Sequence, residues 1–383
     1  MDIRTGSPFQ GRYREELRCF LARNGLKYDE RIGYSLCLIE DEEIAATGSL
    51  DGNILKCIAV SPDFQEGGLA ARIVSGLIDE AARNGVFHLF LFTKPENEAL
   101  FRSLGFFTIT KTGNALLMEN KKNGVAGFVA ALGACGTLRN SYEETPDFTH
   151  FEAPLGVCKE DFCDKSQKSL ILGAKPHKLL EKPETVNGGA AGRSGAIVMN
   201  CNPFTLGHRY LAERAAAECD VLHIFVVSEE KSAFPAEVRL RLAGTGTAHL
   251  KNALVHPSGP YLISAATFPD YFIKDTVCPE TVNALLDLKI FAERFARPLG
   301  ITRRFVGEEP LDPVTGAYNR QMKEALPSWG IAVREIPRLE KGGGPVSAGR
   351  VRNLLSQGRL EEALELVPPA TADYLRKWKG GGI

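Results

Sequence analysis

A histidine and a glycine stand at the start of a predicted helix in the second half of the chain, where they could contact a phosphate. Residues 195–212 read GAIVMNCNPFTLGHRYLA: an apolar run ends at Met199, a loop follows, and helical spacing begins at His208. Free backbone N–H groups and the helix dipole favour an anion at a helix start. Gly207 permits close backbone approach, and His208 supplies an imidazole. The segment predicts a phosphate site, although an ordinary strand–helix turn with a solvated histidine has the same local pattern.

Basic residues recur at later strand ends of the same half of the chain. Lys231 follows a second predicted strand, Arg239 lies on the next helix, and Ser347 opens a late helix that carries Arg350 and Arg352. Ligands of open parallel sheets gather at the carboxyl ends of the strands. Two arginines at a helix start oppose the helix dipole unless an anion compensates them. The order of these residues favours a polyphosphate, and the alternatives are a solvated basic face and a simple serine cap.

The elements that would position these groups form a continuous α/β pattern from residue 195 onward. The N-terminal part of the chain has a different predicted order of elements: a hairpin, a third strand and a long helix, followed by a strand, a short helix and a final strand. We therefore predict an N-terminal domain over residues 1–130 and a C-terminal parallel-sheet domain over residues 195–383. The glycine- and proline-rich residues 131–194 are interpreted as a connector, partly mobile.

Composition narrows the function classes. The 383 residues carry a formal net charge of −1, which argues against a nucleic-acid partner. No apolar stretch approaches the ~20 residues that span a bilayer, and the N-terminus lacks a signal core, so we expect a cytoplasmic protein without a membrane partner. Nine scattered cysteines indicate reduced thiols. The spacing of Cys158, Cys163 and His150 only weakly resembles that of zinc ligands, and no metal site is predicted.

Two parts of the chain resemble known families. The turn Gln65-x-x-Gly68-x-Ala70 is similar to the pyrophosphate-binding turn of the GNAT acyltransferase fold, and the closing segment at 97–106 matches that fold over about residues 30–115. Thr205-Leu-Gly-His208 and the span Ser347–Arg352 resemble the (His/Thr)-x-Gly-His and late Ser-x-x-x-x-Arg signatures of the nucleotidyltransferase superfamily.

The sequence around these signatures is most similar to that of one family. The strings at 199–210, 263–272, 306–310 and 318–319 resemble the citrate lyase ligases, over residues 1–130 and 195–375. This chain departs from the pattern in a long connector and in Gly349, which stands where the wider superfamily often has a hydroxyl residue.

The resemblance implies an α/β fold with a GNAT-like acyltransferase front and a Rossmann-like nucleotidyltransferase rear. It implies an ATP-dependent acid–thiol ligase that uses Mg²⁺, activates acetate as acetyl-adenylate, and acetylates the CoA-like prosthetic group on the citrate lyase acyl carrier subunit. The front domain would dock that prosthetic arm. The residues to which the resemblance assigns catalysis are Thr205, His208, Lys231 and Arg352, and those to which it assigns nucleotide binding are Asn202, Phe204, Gly207, Arg239, Ser347 and Arg350.

Two other functions fit the same signatures. One is an adenylyltransferase that makes a dinucleotide or a CoA precursor, although such enzymes are usually shorter and lack the front domain. The other is a non-catalytic module that senses a nucleotide or an acyl-CoA, which the intact His208 and Arg352 disfavour.

Overall fold

Two compact units make up the part of the chain that the computed structural model describes, namely residues 1–135, 192–228, 232–264, 279–310 and 313–378. Among these, residues 1–124 form the first unit, and the second unit takes in residues 125–135 and everything described from residue 192 onward. Each unit has its own sheet and its own apolar core.

The first unit contains a mixed sheet whose described strands run in the order β1-β2-β3-β4-β5-β7-β6. Strands β4 and β5 are parallel neighbours, and the other neighbouring pairs are antiparallel. The bounds are β1 Asp2–Gly6, α1 Gly11–Arg23, β2 Tyr34–Glu40, β3 Glu43–Asp51, β4 Ile54–Val60, α2 Leu69–Arg83, β5 Phe90–Thr93, α3 Glu98–Ser103, β6 Phe107–Lys111 and β7 Leu116–Glu119, with short 3₁₀ turns at Pro62–Gly67 and Pro95–Asn97.

Helix α2 shows why this unit folds as it does. Its leucine, isoleucine, valine and alanine side chains recur at helical spacing and are buried against β2 and β3. Strands β4 and β5 pair only at Ile54 with Phe90 and at Leu55 with Leu91. Beyond those pairs the two strands diverge, which opens a cleft beside the start of α2.

The second unit contains a sheet in which every described pairing is parallel, in the order β10-β9-β8-β11-β12. The strand order reverses between β8 and β11, and such reversals create the ligand crevice of open α/β sheets. The bounds are α4 Gly124–Cys135, β8 Ser194–Met199, α5 Leu206–Ala216, β9 Val221–Val226, α6 Ala236–Thr247, β10 Ala253–Pro257, α7 Pro279–Ile290, a π-helical segment Phe291–Ala296, β11 Ile301–Gly307, α8 Pro313–Ala325, β12 Ala332–Ile336, α9 Ala348–Ser356, α10 Leu360–Leu364 and α11 Pro369–Lys377.

Helix α4 packs in the second unit. The ring of Phe128 lies 5.4 Å from that of Tyr261 and meets Phe295 edge-on at 6.2 Å. Within the described ranges, no helix combines the length and the apolar character that crossing a bilayer requires. Residues 136–191 of the predicted connector, including the Cys158 and Cys163 pair, lie outside the described residues.

Candidate active site at the carboxyl edge of the parallel sheet

The start of helix α5 holds two predicted catalytic side chains in one local network. Thr205 caps the helix: its Oγ1 accepts a hydrogen bond from the backbone N–H of His208 at 3.4 Å, and its own N–H donates to Nδ1 of His208 at 3.0 Å. Because Nδ1 accepts that bond, the neutral ring carries its proton on Nε2. Burial lowers the pKa of His208 to about 4, and the charge of Arg338 adds to the shift. At neutral pH the imidazole is therefore an uncharged hydrogen-bond donor.

The structure extends this helix beyond its predicted start. Helical spacing was expected from His208, whereas α5 begins at Leu206 because the Thr205 cap organises the first turn. The backbone N–H of Leu206 donates to the carbonyl of Leu366 at 3.0 Å. One of the free N–H groups of this helix start is thus already used by the protein.

Gly207 lies where α5 meets the segment that leads into α9. A Cβ built on Gly207 would lie 2.4 Å from the carbonyl oxygen of Val346, closer than real side chains approach. We expected the close approach at Gly207 to be that of a phosphate, and in the structure the close neighbour is this carbonyl. The absence of a side chain therefore lets the two helix starts lie side by side.

The start of α9 is tied to the loop after β8. Ser347 caps α9 by accepting a hydrogen bond from the backbone N–H of Arg350 at 3.1 Å. Arg352 donates from Nη1 to the carbonyl oxygen of Asn202, and the Asn202 Oδ1 accepts from the backbone N–H of Phe234 at 3.0 Å. Partial burial lowers the pKa of Arg352. The structure thus brings Thr205, Gly207, His208, Asn202, Ser347 and Arg352 together at one edge of the sheet.

Arg350 is directed toward the protein. Its guanidinium donates to the carbonyl oxygens of Lys341 at 2.7 Å, Gly344 at 3.2 Å and Gly342 at 3.1 Å. The loop over residues 341–344 wraps around this side chain. Arg350 therefore shapes that loop.

Arg239 is fully buried. It donates from Nε to the carbonyl of Phe234 at 2.9 Å, and from Nη1 to Val227 at 2.6 Å and Asn200 at 2.8 Å. Two of these carbonyls follow β8 and β9 directly, so Arg239 fixes the carboxyl ends of both strands. This geometry gives it a supporting position beneath the site.

Phe204 is fully buried and packs against the imidazole of His208. Its ring stacks on that of His208 with 5.6 Å between centroids and 23° between planes. A Cβ at Gly246 of α6 would lie 2.3 Å from the Phe204 ring, so the aromatic side chain is held closely from below. Lys231, the remaining predicted catalytic residue, lies outside the described residues.

Arg338 is a basic residue at this edge that the sequence reasoning missed. It follows β12 by two residues, donates from Nε to the carbonyl of Glu308 at 2.6 Å, and forms an ion pair with Glu309. Its charge contributes to the lowered pKa of His208. The sequence signal that could have identified Arg338 is its position just after a strand of the parallel sheet.

No group of three or more histidine, cysteine or acidic side chains that could hold a metal ion occurs in the described part of the chain.

The cleft between β4 and β5 of the first unit has a volume of about 460 Å³. The Gly68 turn, whose φ is +64°, lies at its edge, and residues 56–60 of β4 form one wall. Lys56 is buried and donates at 2.7 Å to both Asp29 and Asp51. The lining also includes the Cys57 thiol and the pair Asn97 and Thr93, in which the Asn97 amide donates to the Thr93 hydroxyl at 2.8 Å. Of the described lining side chains, none is a carboxylate or an imidazole.

The fold defines a class of protein: a Rossmann-like α/β unit with a parallel sheet, preceded by an acyltransferase-type unit. The family described as "Citrate lyase ligase C-terminal domain" matches residues 194–375, and "Acetyltransferase (GNAT) family" matches residues 4–106. The predicted GNAT-like front and parallel-sheet rear are thereby confirmed.

Curated relatives agree over nearly the whole length. The chain is 36% identical to "[Citrate [pro-3S]-lyase] ligase" of Klebsiella pneumoniae, covering 94% of this chain and 92% of that protein. It is 37% identical to the ligase of the same name of Escherichia coli (strain K12), covering 94% and 90%. A "[Ribosomal protein bS18]-alanine N-acetyltransferase" of Salmonella typhimurium is 36% identical over 96 residues, 23% of this chain and 62% of that one. The chain therefore belongs to the citrate lyase ligase family, and the predicted enzyme class, an acid–thiol ligase, is confirmed.

Proposed function

We propose that this protein uses ATP to activate acetate as acetyl-adenylate and then acetylates the thiol of the phosphopantetheine-type group on the citrate lyase acyl carrier subunit. The observation that carries the proposal is the pairing of two helix starts, one bearing a neutral imidazole at His208 and the other a guanidinium at Arg352. Such an edge suits a triphosphate, because the helix dipoles favour an anion there and the two helices carry a neutral donor and a cation.

In the first half-reaction an acetate oxygen attacks the α-phosphorus of ATP. The new bond joins that oxygen to phosphorus, the bond to the bridging oxygen of the β-phosphate breaks, and pyrophosphate leaves with the bond electrons. Negative charge grows on the α-phosphate oxygens, so the Nε2–H of His208 and the N-terminal dipole of α5 stabilise the transition state. Arg352 and Lys231 would hold the β- and γ-phosphates. No protein nucleophile takes part, and positioning supplies most of the catalysis.

Magnesium would enter with the nucleotide. The described residues offer no cluster of metal-ligating side chains, and Mg²⁺ in nucleotide sites typically binds through substrate phosphates with few protein ligands. The ion supplies charge neutralisation on the departing pyrophosphate.

In the second half-reaction the carrier thiolate attacks the acetyl carbonyl, a C–S bond forms, the C–O bond to AMP breaks, and the thiol proton passes to solvent. The cleft of the first unit supports a docking role for the prosthetic arm. Its walls include the backbone of β4 beyond Leu55, which is not paired to β5 there and could hydrogen-bond the amides of a pantetheine chain. In its described lining, Lys56 is held by two carboxylates and burial raises the pKa of the Cys57 thiol to about 12, which favours docking over acetyl transfer at that cleft.

Isotope exchange between labelled pyrophosphate and ATP tests the first half-reaction. With Mg²⁺ and acetate, we expect label to enter ATP, and His208→Ala should reduce the rate by roughly a hundredfold or more. The matched control is His249→Ala, which removes an imidazole bound to Glu213 on the protein surface. Exchange only with a phosphopantetheine or a nucleotide would support the adenylyltransferase instead. No exchange with any acceptor would support the sensing module.

The docking role is tested separately at Gly68. Gly68→Val places a bulky side chain at the cleft edge, and we expect about a tenfold rise in KM for the acyl carrier with acetate-dependent exchange unchanged. Gly52→Val is the control, because Gly52 has a similar φ of +58° and a Cβ built on either glycine meets none of the described non-adjacent atoms within 4 Å. A wild-type KM for the carrier, or loss of exchange together with transfer, would contradict the docking role.

A further inference from the structure

A groove lies between helix α5 and strand β12 of the second unit. It has a volume of about 350 Å³ and is lined by Tyr210, Arg214 and Glu218 on one side and by residues 333–337 on the other. The first three recur at intervals of four residues, so they share one face of α5. Among the described strands, β12 is the last of the parallel sheet and pairs only with β11. The groove therefore follows the margin of that sheet.

One end of the groove lies at the carboxyl edge of the sheet. Pro337 comes directly after β12, and Tyr210 is in the second turn of α5, two residues after His208. Glu218 lies just past the opposite end of the helix, about 12 Å from Tyr210 at a rise of 1.5 Å per residue. The groove thus leads along α5 to the edge that carries the candidate active site.

Cations outnumber carboxylates in and around this groove. Arg214 is exposed, and the described residues give its guanidinium neither a hydrogen bond nor an ion pair. Arg334, whose side chain is 60% exposed, lies 3.3 Å from Glu218, and Arg303 lies 3.9 Å from the same carboxylate. The other acid of the lining, Glu335, is bound by a lysine of α8. The groove is therefore locally positive, although the whole chain has a formal net charge of −1.

We propose that this groove docks a face of the acyl carrier subunit that presents exposed carboxylates. The assignment rests on the proposed function, in which the carrier must bring its thiol to the acetyl-adenylate at the carboxyl edge. Opposite charges on the two surfaces steer the encounter and fix the orientation of the bound partner. A carrier held in the groove lies beside the start of α5, where its thiol is needed.

The test measures KM for the acyl carrier in charge variants of the groove. At low salt we expect Arg214→Glu to raise this KM about tenfold and the neutral Arg214→Gln about threefold, with acetate-dependent exchange unchanged. The control is Arg241→Glu on α6, which makes the same change of charge at another exposed arginine that has no partner among the described residues. It should keep the wild-type KM for the carrier. If the reversed charge unfolds the protein, Arg214→Gln decides by the same comparison.

A second acceptor separates docking of the carrier surface from binding of its prosthetic arm. With free phosphopantetheine as the thiol acceptor, Arg214→Glu should have the wild-type KM. Added salt should raise the wild-type KM for the carrier and narrow its difference from the variant, because exposed charges are screened. A folded variant with unchanged KM for the carrier, or an equal rise in KM for free phosphopantetheine, would overturn the assignment. A wild type without acetate-dependent exchange would instead refute the proposed function itself.

Discussion

Replacement of Gly207 by alanine is the substitution whose consequences the structure defines most sharply. The added Cβ would lie 2.4 Å from the carbonyl oxygen of Val346, whereas ordinary contact begins near 3.4 Å, so one backbone must move by about 1 Å. Overpacking of this kind costs about 1–3 kcal/mol of folding free energy. A displacement of about 1 Å at a catalytic constellation costs on the order of a hundredfold in rate.

The assay is kcat/KM for ATP in acetate-dependent pyrophosphate exchange, with a thermal melt of the same preparation. Gly207→Ala should lose on the order of a hundredfold in kcat/KM while remaining folded. The control is Gly244→Ala in α6, where a built Cβ meets no described atom outside its own helix within 4 Å and alanine should increase stability by up to about 1 kcal/mol. A Gly207→Ala enzyme with wild-type kcat/KM would show that the spacing of the two helix starts does not govern the chemistry.

Three further predictions follow from the buried charges and imidazoles. Burial depresses the pKa of His208 and His223 to about 4 and of His256 to about 3, so the unfolded chain takes up protons below about pH 6.5 while the folded chain does not. Stability should therefore be lost as the pH falls from about 6.5 toward 4, by about 1 kcal/mol per pH unit for each histidine, and denaturant titrations at pH 7, 6 and 5 measure it; a pH-independent midpoint would contradict the buried neutral state. Arg239→Met should destabilise the second unit by about 3 kcal/mol or more because three carbonyls lose their donor, and a wild-type melting temperature would count against that role. Arg352→Met should raise KM for ATP roughly tenfold or more in the exchange assay, and an unchanged KM for ATP would remove Arg352 from the phosphate site.

The sequence predicted the elements with strong local periodicity. The apolar run before Asn200 became β8, and the predicted hairpin became β2 and β3, because alternation and turn residues are local signals. The start of α5 was placed two residues late, since the capping bond between Thr205 and His208 is a side-chain geometry rather than a periodicity.

Sequence periodicity does not predict which elements pack against each other. Helix α4 is rich in glycine and alanine, and only the tertiary contact of Phe128 with Tyr261 and Phe295 assigns it to the second unit. The basic residues illustrate the same limit. Spacing put Arg239 and Arg350 near strand and helix ends, but whether a guanidinium turns toward a ligand or toward backbone carbonyls depends on loops that come from elsewhere in the chain.

The most direct test of the account is a crystal structure of the protein with a non-hydrolysable ATP analogue and Mg²⁺. The account predicts the α-phosphate within hydrogen-bond distance of Nε2 of His208, and the outer phosphates beside the guanidinium of Arg352. An analogue bound at another part of the molecule, or at this edge with its phosphates directed away from both side chains, would contradict it.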